Sequence, residues 1–153
     1  GFGRIGQAVG KLAKAFGMQV IAYDAYQNDS GKEIGQYVTL DELLKESDVI
    51  SLHCPLFPST EKMINQENID KMKDGVVLLN FSRDTLVNED DIKVALESGK
   101  VAKYVVDFPN PTTVKLPNTT VTPHLGASTQ ESEDKWQSVR FVISWKMVTS
   151  KIL

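Results

Sequence analysis

Gly1-Phe2-Gly3-Arg4-Ile5-Gly6 opens into a stretch in which Ile5, Val9, Leu12, Ala13 and Phe16 recur at helical intervals, with Gly17 behind them as a stop. The spacing predicts a helix over residues 4–16 that starts on a G-x-G-x-x-G turn. In such a turn the first two glycines, here Gly1 and Gly3, let the backbone bend and approach a pyrophosphate, while the third, Gly6, permits close helix packing. The free N–H groups and the positive end of the helix then hold the phosphates. Asp24 closes the apolar run over residues 18–23, about 20 residues on, where a carboxylate accepts a hydrogen bond from a ribose 2′-OH. An acid there repels the extra phosphate of NADP, and residues 23–28 offer no Arg to receive it. The expected cofactor is NAD.

Working outward, residues 18–23 read as a buried strand leading into a polar, turn-rich stretch through Gly31 and Gly35. Thr39-Leu40-Asp41-Glu42 has capping-box spacing and opens a short helix to about residue 47. Residues 48–53 form the next strand, which Pro55 and Pro58 end in a loop. A helix over 66–73 and a strand over 76–80 follow. Asn88 caps a helix whose first turn, Glu89-Asp90-Asp91, suits the positive end of its dipole and which Gly99 ends. Strands are expected over 101–106 and 119–122. Ser128-Thr129-Gln130-Glu131 repeats the capping-box spacing ahead of a long helix carrying Trp136, Val139, Val142, Ile143 and Met147. Short apolar strands alternating with amphipathic helices argue for a doubly wound α/β fold, a parallel sheet covered on both faces, in one domain spanning residues 1–153.

The 153 residues, 41% hydrophobic with a net charge of -3, describe an ordinary globular chain able to bury a core. No run approaches the ~18 apolar residues of a membrane span. The acidic balance gives nucleic acid no long-range attraction. The lone Cys54 suits a reducing compartment, and with no leader visible ahead of it the expected location is the cytoplasm. No zinc signature is present, and the Glu89 to Asp91 cluster reads as a helix start, so no metal is expected.

Four further motifs stand in register: Asp48-Val49-Ile50-Ser51-Leu52-His53-Cys54-Pro55-Leu56, Pro58-Ser59-Thr60, Asn80-Phe81-Ser82-Arg83 and Thr122-Pro123-His124-Leu125-Gly126-Ala127-Ser128-Thr129. Together with the glycine turn they resemble the D-2-hydroxyacid dehydrogenases over nearly the whole chain, and within that family the branch that oxidises 3-phosphoglycerate in serine biosynthesis. The resemblance implies a Rossmann-type NAD domain whose substrate domain, built in the family from flanking segments, is absent here. It implies that Arg4 and Ile5 lie against the pyrophosphate, that Asp24 holds the ribose, and that Cys54 and Pro55 line the cofactor cleft. It sets Ser82, Asp107, Gly126 and Ala127 near the nicotinamide. Arg83 would grip the carboxylate of a small 2-hydroxy or 2-oxo acid, and His124 would be the acid/base. It also implies pairing of two copies through this domain.

The chemistry of the two catalytic candidates agrees. Arg stays charged and presents a planar fork to a carboxylate. A neutral imidazole near pH 7 accepts a hydroxyl proton, and Pro123 and Leu125 hold His124 in a constrained turn. His53 reads instead as a hydrogen-bonded scaffold residue and Cys54 as a small packing group.

The chain also departs from the family. The Glu that usually supports the acid/base His is missing from Asp107-Phe108-Pro109-Asn110-Pro111-Thr112, and Asp84 stands where the family has Gly after its Arg, able to compete for Arg83. These departures favour, as an alternative, a catalytically impaired NAD(H)-binding sensor or scaffold, with a dimerising corepressor-type protein third. A glycine turn of this kind follows the central strand of the order 3-2-1-4-5-6, and no residues precede Gly1. The first strand is therefore expected to be missing. A piece of a longer enzyme is expected, ahead of neighbouring strands closing up or another chain filling the gap.

Overall fold

The computed structural model describes residues 1–126, 128–130 and 132. It divides into two compact units, Gly1–Thr122 and Pro123–Leu153. The first unit carries eleven helices and strands: α1 (Arg4–Ala15), β1 (Ile21–Ala22), α2 (Asp29–Ile34), β2 (Gln36–Tyr37), α3 (Leu40–Glu46), β3 (Val49–Leu52), α4 (Gln66–Asp70), β4 (Val76–Asn80), α5 (Glu89–Ser98), β5 (Val101–Val106) and β6 (Thr119–Val121). Single 3-10 turns at Asp84–Leu86 and Thr113–Lys115 complete it.

The expected helices form for the expected reasons. The Thr39 hydroxyl accepts from the Glu42 N–H while the Glu42 carboxylate accepts from the Thr39 N–H, so both arms of the capping box on α3 are made. Asn88 caps α5, and Gly99 ends it in the left-handed conformation at φ 80°. The stretch expected to be turn-rich between Asp24 and Thr39 holds two elements, α2 and β2. Asn28 caps α2 by accepting from the Gly31 N–H. The strand expected over residues 18–23 shrinks to β1, because its one ladder partner, β2, is two residues long. The long helix expected after Ser128, with Trp136 and its apolar stripe, lies outside the described residues except at its start.

All strand pairing is parallel, as the alternation of strands and helices requires. It falls into two sheets, β1-β2 and β3-β4-β5-β6. The larger sheet carries the main core: Ile50, Leu52, Leu78, Val101, Tyr104 and Val106 pack with Leu44, Ile69, Ile92 and Leu96 from the helices. The smaller sheet closes over Phe2, Ala22 and Ile34, with the Phe2 ring edge-on to Tyr37 at 5.7 Å. Because the strands of each sheet are parallel, every loop that leaves a carboxyl end of the larger sheet emerges on one rim. That rim carries Cys54, Ser82, Arg83 and Asp107.

Candidate active site

The glycine turn is built by close approach. A Cβ on Gly6 would meet the Gly1 carbonyl oxygen at 2.6 Å, and one on Gly1 would meet the Cys54 nitrogen at 2.7 Å. Gly3, with an ordinary φ of -77°, needs no glycine for its backbone angles. A Cβ there would instead project into open space, nothing lying within 4 Å. Gly3 is also the N-cap of α1 and supplies no side-chain cap, so the first-turn N–H groups face outward past exposed Arg4 and Ile5. Open space over uncapped N–H groups leaves room for an anionic diphosphate.

Asp24 is joined to that turn directly. Its Oδ2 accepts from the Phe2 N–H at 2.5 Å and its Oδ1 from the Tyr26 N–H at 2.8 Å. Burial pushes the carboxyl up, but the N–H groups of Phe2, Tyr26 and Ala25 pull it down, and the pKa lies below the usual value. The carboxylate stays ionised, and each oxygen keeps a lone pair for a hydroxyl donor. These features fit the diphosphate and the ribose of a dinucleotide.

Two residues outside the expected set fasten this corner. Gln7 donates from Nε2 to the Phe2 carbonyl at 2.8 Å and to Asn28 Oδ1 at 3.1 Å, and accepts from Ser30 through Oε1. Asn28 thus caps α2 and ties it to the turn. A polar residue one step past Gly6, the one uncharged polar side chain on α1, was the available signal for Gln7.

At the rim of the larger sheet the organiser is Asn80, which is completely buried. Its side-chain oxygen accepts from the Ser82 N–H at 3.2 Å, its Nδ2 donates to the Arg83 carbonyl at 2.8 Å, and its own carbonyl accepts from the Asp107 N–H at 3.1 Å. The side-chain amide therefore fixes the turn carrying Ser82 and Arg83, and the backbone carbonyl of the same residue anchors Asp107. Its signal was a polar residue ending the run Val76-Val77-Leu78-Leu79. The Asp107 carboxylate accepts a hydrogen bond from the Thr122 hydroxyl.

Arg83 is exposed and donates from one guanidinium nitrogen to the Ser82 carbonyl at 2.6 Å. Asp84 was expected to compete for it. Among the described residues the Asp84 carboxylate turns to its own 3-10 turn and accepts from the Thr85 N–H at 2.8 Å, and Arg83 makes no ion pair. Where the family's Glu is missing, Asn110 accepts from the Thr112 and Thr113 N–H groups and donates to Glu89 at 2.6 Å.

Cys54 is half-buried, its sulfur 3.7 Å from that of Met63, and burial pushes its thiol up, so it packs rather than attacks. Pro55 accepts from the Thr60 hydroxyl at 2.8 Å, which ties off the loop. His53 shares a hydrogen bond with Ser51 at 2.9 Å, and burial lowers its pKa. In the second unit His124 has a φ of 55°, in the left-handed region that a non-glycine residue rarely adopts, and Gly126 is exposed. Ala127 lies outside the described residues. Among the described residues no group of three or more His, Cys, Asp or Glu could hold a metal ion, and no helix is long and apolar enough to cross a membrane.

Residues 1–126 match the family described as D-isomer specific 2-hydroxyacid dehydrogenase, NAD binding domain. The chain is 50% identical over 147 residues to a hydroxypyruvate reductase of Blautia hydrogenotrophica, covering 91% of this chain and 46% of that protein. It is 39% identical over 143 residues to the chloroplastic D-3-phosphoglycerate dehydrogenase 2 of Arabidopsis thaliana, covering 88% of this chain and 23% of that one. In structure it is similar to the D-lactate dehydrogenase of Aquifex aeolicus complexed with NAD and lactic acid, with a TM-score of 0.83, 35% identity, and coverage of 98% of this chain and 52% of that one. The chain thus spans about half the length, or less, of the relatives it matches.

Proposed function

Because the chain belongs to the D-isomer specific 2-hydroxyacid dehydrogenase family, we propose that it is the NAD-binding part of an enzyme that oxidises a small D-2-hydroxy acid or reduces the matching 2-oxo acid. NAD, when bound, supplies the hydride acceptor. The first turn of α1, with Arg4 and Ile5, holds the diphosphate, and Asp24 accepts from the ribose. Cys54 and Pro55 line the cleft, with Ser82, Asp107, Gly126 and Ala127 toward the nicotinamide. Arg83 orients the substrate carboxylate through its fork. His124 takes the hydroxyl proton on oxidation and returns it on reduction.

The observation that carries this reading is the hydrogen bond from the Phe2 N–H to Asp24, which sets a carboxylate beside the open glycine turn. Calorimetric titration of the chain with NAD tests it. Asp24→Ala is expected to weaken binding at least tenfold, and equal affinities would remove the assignment. Circular dichroism of the variant checks that the turn survives the loss.

For substrate we put 3-phosphoglycerate first, on the motifs over residues 48–60, 80–83 and 122–129, while the names of the relatives add hydroxypyruvate and lactate to the set to be assayed. In the full-length protein the three acid classes should rank by kcat/KM with 3-phosphoglycerate highest; a higher value for D-glycerate or D-lactate overturns that choice. His124→Ala should abolish turnover while leaving NAD affinity within about twofold. Turnover unaffected by that change would remove the role given to His124, whereas NAD binding without turnover in the unaltered full-length protein would favour the second reading, a cofactor-binding module, which the missing Glu and the engagement of Asn110 with Glu89 support. We assign the protein to the cytoplasm as a homodimer, which light scattering of the full-length protein tests.

A further inference from the structure

Phe2, inside the glycine turn, is held by its ring, its N–H and its carbonyl. The ring is buried against Tyr37 and Gly10, the N–H donates to Asp24, and the carbonyl accepts from Gln7 Nε2 at 2.8 Å. The ring and Asp24 fix the residue itself, whereas the grip of Gln7 acts on the peptide that joins Phe2 to Gly3. That peptide is trans, so the Gly3 N–H points opposite to the Phe2 carbonyl. With the carbonyl turned toward Gln7 and α2, the Gly3 N–H is turned away from them. A peptide next to glycine rotates at little cost, because glycine accepts positive and negative φ alike, and a Cβ on Gly3 would meet nothing within 4 Å. The orientation therefore depends on the bond to Gln7.

Gln7 is itself held in one sense. Its Nε2 lies against two acceptors, the Phe2 carbonyl and Asn28 Oδ1, and its Oε1 lies 3.2 Å from the Ser30 hydroxyl. Reversing the amide would set an oxygen against both acceptors. The backbone N–H of the same residue donates to the Gly3 carbonyl at 2.9 Å. Gln7 thus grasps two consecutive carbonyls of the turn, Phe2 by its side chain and Gly3 by its backbone.

We propose that Gln7 is a positioning residue for the diphosphate of the cofactor: by holding the Phe2 carbonyl it keeps the Gly3 N–H turned out with those of Arg4 and Ile5, and keeps a carbonyl oxygen from facing the anion. Gln7 acts through the Phe2–Gly3 peptide. Without it the peptide is free to turn over, exchanging a donor for the negative end of a carbonyl dipole. The ribose acceptor is outside this effect. Asp24 keeps its bonds from Phe2 and Tyr26, and Asn28 keeps its bonds from Ser30 and Gly31 at 2.8 Å each. The proposal rests on the reading that the diphosphate lies on this turn, and two ligands separate the failure of one from the failure of the other.

The probes are ADP, which carries the diphosphate, and adenosine, which carries only the base and sugar, titrated into the full-length protein and its Gln7→Met variant. Methionine keeps the length of the side chain and its helix propensity while removing both donors. Gln7→Met should weaken ADP about tenfold, the loss of one hydrogen bond to an anion, and leave adenosine within about twofold. Unchanged ADP affinity overturns the proposal. So does an equal loss for both ligands, which would make Gln7 a prop for the whole corner. Hydrogen exchange of the unaltered protein tests the underlying reading: ADP should slow the amides of residues 3–6 and adenosine should not. If ADP leaves those amides unchanged, the diphosphate reading falls and this proposal falls with it. Should Gln7→Met fail to fold, the side-chain amide protons of Gln7 in the unaltered protein, followed by NMR, must exchange slowly both free and with ADP bound. Rapid exchange in either state overturns the proposal.

Discussion

Asn80 concentrates more of the rim's order than any residue with an assigned chemical role. Its amide replaces water for one N–H and one carbonyl in the turn that carries Arg83, so cutting it back strands both groups. Asn80→Ala is expected to cost about 1–3 kcal/mol in urea unfolding. In the full-length enzyme it should lower kcat/KM by loosening Arg83 rather than by removing a contact to substrate. Asn80→Asp restores the acceptor to Ser82 but not the donor to Arg83, and should recover part of the stability and little of the activity. The sequence marked Arg83 and passed over Asn80, because a guanidinium announces its chemistry while a buried amide is recognised only by what it touches. Asp24 was legible by spacing, but its grip on the Phe2 N–H was not, since hydrogen bonds across 22 residues leave no local trace.

At the level of helices and strands, the caps were the most legible features because they depend on neighbours three residues apart. Thr39→Ala removes the acceptor for the Glu42 N–H and one partner of the Glu42 carboxylate. It is expected to destabilise by about 1 kcal/mol, read as a shifted urea midpoint with unchanged slope. Thr39→Ser should lose much less. What could not be read was β2 and the narrowing of β1, which are two residues each. Strands that short carry no periodicity of their own and exist only through their pairing with each other and through Asn28, Gln7 and Ser30, which pin α2 between them.

For the whole molecule, the all-parallel register was legible from the alternation of strand and helix, whereas its division into two sheets is a matter of three-dimensional adjacency. The core of the larger sheet also gives the fold a defined response to alkali. Burial pushes the Tyr104 phenol up to about 12; the amide of Asn80 opposes the rise, and the charges of Glu89 and Asp84 add to it. The folded chain therefore holds this proton more tightly than the unfolded one. The stability it contributes is complete below about pH 10 and drains away as pH rises toward 12, on the order of 2–3 kcal/mol. Tyr104→Phe should leave the urea midpoint at pH 8 within about 1 kcal/mol and flatten its fall between pH 10 and 12; an unaltered slope there would show that other groups govern alkaline unfolding.

The turn at Gly75 and the segment after Gly99 are laced to each other, Gly75 donating to the Lys100 carbonyl and the Lys100 ammonium reaching Asp74 and the Met72 carbonyl. They sit at the amino ends of β4 and β5, across the sheet from Arg83 and Asp107. A fluorophore or affinity handle attached at Ser98 would ride on the far side of the protein from the chemistry, and so could report unfolding without disturbing what the opposite face binds.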